Sequence, residues 1–402
     1  MEKNTNSVKK KAVGIVAEYN PFHNGHKYHL EESLKITGAQ VAIAVISGNF
    51  TQRGEMALLD KWQRSEMAVR GGINLVVEMP SVFACSNAGY FAKAGVEILE
   101  NLGVEYISFG SESGNIETLA EISREIDKNS HSIEEIIKES VKKGLTYPKA
   151  RQEALKRIIS SDKLSLIRSP NNILALEYLR YVRNAKAVTI ARKGAEYHDS
   201  FPSGNIASAT AIRSSLLAGG NIGSYVPESS LKIISGAADL IPDDEKLFKL
   251  IQHVVLSSSE EYISNVFGAE EGLGNKIKNN IRYFHNYEEL VDGLKSKRYT
   301  RTRIQRSLIM ALLGVSRDKV RSASNYIRVL AMDEEGSKYL KSVKKSGHSN
   351  IPIITNINKE LSLYPEIKDT LAIDVLAGDL YNLASQRDLY LCSDYVKKPL
   401  IL

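Results

Sequence analysis

The chain has 402 residues, of which 43% are apolar and 25% charged, and its formal net charge is +6. That length and composition suit a globular protein of two or three domains with a sizeable core. Its two cysteines, Cys85 and Cys392, exclude a disulfide framework and a four-cysteine zinc site, no apolar stretch approaches the ~20 residues of a membrane span, and the mild basicity permits a polyanionic partner without requiring one.

Met1–Lys11 is polar and lacks the apolar core of a signal peptide. It is expected to be a disordered tail outside the fold, and the protein to be cytoplasmic with no membrane partner. Val13–Ala17 reads as a first strand, broken at Asn20-Pro21, with a helix from Asn24. Val41–Ile46 is a second strand, followed by the polar loop Ser47–Gly54 and a helix around Lys61–Arg70. Ile73–Glu78 is a third, before Pro80 and a helix over Gly89–Asn101. Val104–Phe109 is a fourth. A charged, amphipathic helical insertion fills Ile116–Asn184, and Ala187–Ala191 is a fifth strand. These apolar runs are continuous rather than alternating, as parallel strands covered on both faces require. The fold class expected is therefore α/β, a Rossmann-like doubly wound parallel sheet with a ligand crevice at the carboxyl ends of its strands. Beyond Gly219-Gly220 helical periodicity dominates, as in Asp244–Val255, Ser307–Leu313 and Ile373–Ala384, and Ile351–Thr355 is a short strand candidate. A boundary near Gly220–Pro227 would divide the chain into a sheet domain, 12–220, and a mainly α-helical C-terminal domain, 221–402.

Chemistry-bearing residues gather at the expected strand ends. His23 and His26, three apart where the first strand enters a helix, would both face an anion held by the unpaired N–H groups and positive dipole end of that helix. The loop Ser47–Glu55 would overhang the same crevice and bring Arg53 toward phosphate or carboxylate. Gly110, after the fourth strand, permits close backbone approach to a nucleotide, or is a plain turn glycine. In Ser169-Pro170-Asn171-Asn172 a Ser or Asn is first a helix cap, with ligand contact by Asn171 a secondary role. Arg192 and Lys193 end the fifth strand as two cations suited to phosphate. Ser208 and Thr210 can cap the helix that carries Arg213. In the second half Lys295, Lys297, Arg298, Arg301, Arg303 and Arg306 cluster around Tyr299, and Asp318 is the one acid between Lys295 and Arg328. That local excess with an interleaved aromatic suits RNA backbone contact and base stacking. The eight histidines are scattered, so no resident metal site is expected. The absence of a Gly-x-Ser-x-Gly elbow and of a Walker loop argues against serine hydrolase and P-loop readings.

His23-Asn24-Gly25-His26 resembles the nucleotide-binding signature of the nucleotidyltransferase and class I aminoacyl-tRNA synthetase superfamily, and Ile206–Arg213 resembles its second signature. By that resemblance the catalytic side chains are His23, His26 and Arg213: the imidazoles hold ATP phosphates while the α-phosphorus is attacked, and Arg213 binds the β- and γ-phosphates. The longer run Val16-Ala17-Glu18-Tyr19-Asn20-Pro21-Phe22-His23-Asn24-Gly25-His26-Lys27-Tyr28-His29 is more specific. Together with residues 47–55, Phe-Gly-Ser-Glu at 109–112, Ser-Pro-Asn-Asn-Ile-Leu at 169–174 and Ser-Ala-Thr-Ala-Ile-Arg at 208–213, it is similar to the bacterial tRNA(Met) cytidine acetate ligase family.

The resemblance implies that ATP sits on Val16–His29, Gly110, Asn171 and Arg192, beside Lys193, Ser208 and Thr210, and that Mg2+ arrives with it. It also implies acetate activated as acetyl-adenylate and transferred to the wobble cytidine of elongator tRNA(Met), giving N4-acetylcytidine, with the basic helical half binding the tRNA. Acetate is a poor acyl donor; adenylation supplies AMP as leaving group, and preorganised donors must meet the charge that builds on phosphate. Tyr19, Asn20 and Phe22 are candidates for the acetate pocket. The alternative is a nucleotidyltransferase making a small adenylated cofactor from ATP, which would not need the basic half; a third reading is an RNA-binding protein with a relict ATP site.

Overall fold

Side chains of the central strands alternate between two buried faces. Along Val41–Ser47, Val41, Ile43 and Val45 enter the core on one side of the sheet, while Ala42, Ala44 and Ile46 enter the core on the other. The computed structural model describes residues 10–145, 147–167, 169–192 and 205–402. Residues 1–9 of the expected tail lie outside the described residues. Lys10 and Lys11 are held, Lys10 by Glu335 and the Lys11 carbonyl by the Gln40 and Val41 N–H groups, so the expectation of a free tail through Lys11 runs two residues too far.

Among the described residues the strands are β1 (Ala12–Ala17), β2 (Val41–Ser47), β3 (Leu75–Met79), β4 (Tyr106–Ser111), β5 (Lys186–Ala191), β6 (Ile327–Met332), β7 (Ile353–Ile354) and β8 (Leu400–Ile401). They form one sheet in the order β5-β4-β1-β2-β3-β6-β7, with β8 beside β6. The first five are parallel to one another, as expected. Because β2 flanks β1 on one side and β4 on the other, the chain segments leaving β1 and β4 diverge, and a crevice opens at their carboxyl ends. Between β4 and β5 the insertion is helical: Ile116–Lys128, Ser130–Lys142, Tyr147–Lys156 and Pro170–Tyr181.

The second half is mainly helical, but it also enters the sheet. β6 runs antiparallel to β3, and β7 and β8 pair with β6. All six residues of Ile327–Met332 are buried. Carrying Arg328 and following a basic tract, this run does not read as a core strand. The boundary expected near Gly220 does not coincide with an edge of the sheet: Ile212, Ile222, Val226 and Ile234 share one apolar cluster with Val13, Ile15 and Leu330.

Charge pairing makes Arg328 tolerable in a core strand. Its Nη1 lies 2.9 Å from Asp394 Oδ2 and 3.4 Å from Glu78 Oε2, and Lys61 Nζ lies 2.8 Å from a carboxylate oxygen of each. All four side chains are buried. They tie β3, β6, the helix Lys61–Arg70 and the C-terminal segment together. Removing one member leaves a buried carboxylate short of a partner. Arg328→Met is therefore expected to lower the unfolding free energy by about 3–5 kcal/mol, read from the urea midpoint; an unchanged midpoint would contradict that role.

Candidate functional site

At the end of β1 the chain turns through Glu18–Phe22. Tyr19 has a φ of 48° and the Asn20-Pro21 peptide is cis. Tyr19, Asn20 and Phe22 are all buried. Asn20 Oδ1 accepts from the Leu58 N–H at 2.7 Å, the Asn20 carbonyl accepts from Arg213 Nη1 at 3.0 Å, and Glu18 Oε1 accepts from the Gln52 N–H at 2.7 Å. Arg64 supplies a further support. Its fully buried guanidinium donates to the carbonyls of Glu18, Ser47, Gly48 and Leu59, and so joins the end of β1 to the end of β2.

His23 is the N-cap of the helix Asn24–Thr37. Its Nδ1 accepts from the His26 N–H at 3.4 Å, while His26 Nδ1 accepts from the His23 N–H at 3.3 Å. Two imidazoles thus form a reciprocal capping box, a role usually shared by a hydroxyl and a carboxylate. A neutral imidazole that accepts at Nδ1 carries its proton on Nε2 and donates from there. The rings stack with centroids 3.7 Å apart and 22° between planes, a contact that two imidazolium ions would oppose. Desolvation, helped by Arg192 and Arg213, pulls His23 down to about 3. Desolvation, then His23, His29 and Arg192, holds His26 well below its usual value, against a hydrogen bond with the Pro21 main chain. Desolvation and Arg192 bring His29 to about 4. The resting imidazoles are therefore neutral N–H donors. Gly25 permits the stack, since a Cβ there would stand 2.9 Å from His23 Cε1.

Several of the other expected residues lie on the elements next to this turn. Val16 and Ala17 end β1, and Lys27, Tyr28 and His29 continue the helix; His29 Nε2 lies 3.2 Å from Ser108 Oγ in β4. Asn24 donates to the Asn205 and Ser224 carbonyls, both at 3.0 Å, and so anchors the helix start. Gly110 in β4 and Arg192 just after β5 are neighbours: a Cβ on Gly110 would lie 3.6 Å from Arg192 Cγ. Lys193 lies outside the described residues. Ser208 caps the helix Ala209–Leu217 by accepting from the Ala211 N–H at 3.1 Å, and Thr210 Oγ1 lies 3.5 Å from Arg213 Nη2. Arg213 also lies 3.6 Å from Glu55 Oε2.

The expected side-chain cap of Ser or Asn on the helix Pro170–Tyr181 is corrected. Ser169 makes no side-chain cap. Glu112 does the work: its Oε2 accepts from the Asn172 N–H at 2.9 Å and its Oε1 from Asn171 Nδ2 at 2.7 Å. The Phe-Gly-Ser-Glu and Ser-Pro-Asn-Asn motifs are two halves of one joint. Sequence reasoning missed this, and it missed Arg64. The available signal for Arg64 was spacing: Lys61, Arg64, Ser65 and Ala68 recur on one helix face, and that face is buried.

The basic tract is not one open face. Arg301 lies 2.6 Å from Glu288 and 3.1 Å from Asp292, and Arg303 lies 2.9 Å from Glu271 and 3.8 Å from Glu270, all acids outside the tract. Arg306 Nη1 donates to the Gln52 carbonyl at 3.5 Å, under the loop 47–55. Tyr299 is buried and donates to the Glu271 carbonyl at 2.6 Å, which removes it from the stacking role expected of it. Lys295, Lys297 and Arg298 are exposed. The helix Arg301–Leu312 also shapes the loop: Gly54, with φ of 75°, packs so closely on the Arg306 main chain that a Cβ would collide with it.

The sequence pattern of the HIGH Nucleotidyl Transferase family matches residues 10–392. A protein of Caldanaerobacter subterraneus subsp. tengcongensis named tRNA(Met) cytidine acetate ligase is 40% identical over 390 residues, covering 93% of this chain and 95% of that protein. The chain belongs to the tRNA(Met) cytidine acetate ligase family. Another member of this acetate ligase family, from Bacillus velezensis, is 36% identical over 410 residues and covers 97% of each chain. Apo Thermotoga maritima TmcAL superposes with a TM-score of 0.91 at 30% identity, over 98% of this chain and 99% of that one. The same protein bound with alpha-thio ATP superposes with a TM-score of 0.89 at 29% identity. In this acetate ligase family member no helix among the described residues is long and apolar enough to cross a membrane.

The depressed imidazoles have a consequence for stability. The native state refuses protons that the unfolded chain accepts below pH 6.5, so it binds fewer protons down to about pH 4 at His29. Stability present above pH 6.5 is expected to fall as the pH drops, by at most about 1.4 kcal/mol per pH unit for each group. His29→Asn should lessen that fall in urea titrations; a midpoint independent of pH across this range would contradict the neutral state.

Proposed function

We propose that this chain is an ATP-dependent ligase that acts in the cytoplasm on elongator tRNA(Met), acetylating the wobble cytidine. An acetate oxygen attacks the α-phosphorus of ATP and the bond to pyrophosphate breaks, which gives acetyl-adenylate. The exocyclic N4 of cytidine then attacks the acetyl carbon, the C–O bond to AMP breaks, and N4 loses a proton. The product is N4-acetylcytidine.

One observation carries this reading: the stacked His23–His26 pair at the point where the segments leaving β1 and β4 diverge, with Arg213 bound to the same turn. Nε2–H donors fixed before substrate arrives can meet charge on the α-phosphate without reorganising, and this preorganisation is the main source of catalysis in phosphoryl and acyl transfer. Arg213 is suited to the departing pyrophosphate. Gly110, Asn171, Arg192, Ser208 and Thr210 surround the nucleotide in this assignment. Mg2+ accompanying the triphosphate would supply charge neutralisation on phosphate, and Glu55, 3.6 Å from Arg213, would be the carboxylate placed to help hold it.

The direct test incubates the protein with ATP, labelled acetate and total bacterial tRNA. Label in tRNA(Met) supports the assignment, and pyrophosphate release indifferent to acetate would sink it. His26→Ala is expected to slow acetate-dependent ATP–pyrophosphate exchange by about 100- to 1,000-fold, while affinity for tRNA in a gel shift holds. Gly25→Ala, which drives a methyl into the His23 ring, should do the same; undiminished exchange in both variants would remove the imidazole pair from the mechanism.

A further inference from the structure

We propose that the tRNA docks on a surface formed by Arg282, Tyr283, Lys295, Lys297 and Arg298, with the Tyr283 ring as a base-stacking platform. This rests on the tRNA ligase assignment above and names the surface that would deliver the RNA. The residues come from two turns that the fold brings side by side. One is the turn Ile281–Tyr283, after the helix Leu273–Asn280; the other follows the helix Tyr287–Leu294. Lys276 Nζ donates to the Leu294 carbonyl at 2.7 Å and the Gly293 carbonyl at 3.3 Å. Phe284 lies so close over Gly293 that a Cβ there would collide with its ring.

Sorting the cations by partner isolates this surface. Arg301 and Arg303 are neutralised by acids, Arg317 is bonded to Asn265, Lys319 to the Gly314 carbonyl, and Arg321 lies 3.7 Å from Asp318. The acids of the helix Tyr287–Leu294 are engaged as well: Glu288 and Asp292 with Arg301, and Glu289 with the His285 N–H. Between residues 281 and 328 this leaves the exposed Arg282, Lys295, Lys297 and Arg298, in the two turns that also carry the exposed Tyr283. Tyr283 is 73% exposed, whereas Tyr299 is 7% exposed. Exposed cations on turns beside an open aromatic face suit a single-stranded RNA loop, whose unstacked bases need a ring to lie on. A protein partner would favour a core depleted of lysine.

One helix also joins the surface to the crevice loop. Tyr287, which begins the helix, donates to the carbonyl of Gly54 in the crevice loop. That helix has 8 residues, so the cationic turn at its far end stands about 12 Å along the axis from the residue that props the loop. An RNA loop can rest its backbone there while one base enters the crevice.

The test measures tRNA(Met) affinity of the full chain by gel shift over a range of salt. The triple variant Lys295→Glu, Lys297→Glu, Arg298→Glu is expected to bind at least about tenfold more weakly, with a salt dependence shallower by about two units. Tyr283→Ala should weaken binding about tenfold, and Tyr283→Phe, which keeps the ring, should bind as the wild type does. Circular dichroism melts verify that each variant is folded. Wild-type affinity in both the triple variant and Tyr283→Ala overturns the surface. Equal losses in Tyr283→Ala and Tyr283→Phe overturn the stacking role. Unchanged RNA affinity with a loss of self-association in sedimentation would assign the surface to protein and overturn the proposal. Failure of the wild type to show acetate-dependent pyrophosphate exchange overturns the ligase assignment itself, independently of the variants.

Discussion

The guanidinium of Arg64 lies buried among the carbonyls of Glu18, Ser47, Gly48 and Leu59. Taking that charge out of water costs several kcal/mol. The carbonyls that receive it stand at strand ends and in loops, where they would otherwise lack donors, so one side chain satisfies four main-chain acceptors at once. The turn after β1 and the loop after β2 are thereby fixed to each other. From the first hang His23 and His26, and from the second Gln52, which holds Glu18. A flexible or merely apolar residue at this position could fill the volume but could not orient both segments.

The chemistry follows from what those fixed segments present. The two imidazoles are neutral because protein surrounds them and cations stand nearby. Each accepts the other's main-chain N–H at Nδ1, so the orientation of both rings is set before any anion arrives. The second half of the chain takes part through the loop 47–55, which it props with Tyr287, Gln305 and Arg306. The turns on either side of the helix that begins at Tyr287 carry the exposed cations, so the proposed RNA surface is joined to the crevice loop through one helix.

Much of this was legible in the sequence, for definite reasons. Five parallel strands are continuous apolar runs because both faces are covered, and continuous runs are hard to mistake. His23, His26 and Arg213 sit in short motifs at strand-to-helix turns, and the fold does bring them to one turn. What escaped were features made by residues far apart in sequence. β6 hides an arginine that is tolerable only because Glu78, Lys61 and Asp394 meet it in space. The basic tract looked open because its acids lie outside it, at 270, 271, 288 and 292. Tyr299 looked like a stacking residue because side-chain direction cannot be read from composition. The helix Pro170–Tyr181 was expected to be capped locally, whereas its cap comes from Glu112.

The antiparallel pairing of β3 with β6 has a consequence for how the chain comes to be folded during synthesis. β3 ends at Met79 and its partner begins at Ile327, so the ribosome adds about 250 residues, at roughly 5–20 per second, before that edge can close. For tens of seconds an apolar strand edge stands uncovered, the kind of template on which nascent chains pair wrongly. Glu78 lies in that edge strand. Until Arg328 and Asp394 exist it is a carboxylate whose nearby partner is Lys61, a charge planted where a wandering strand would have to bury it. The residue that locks the finished sheet is thus also its guard while the sheet is incomplete.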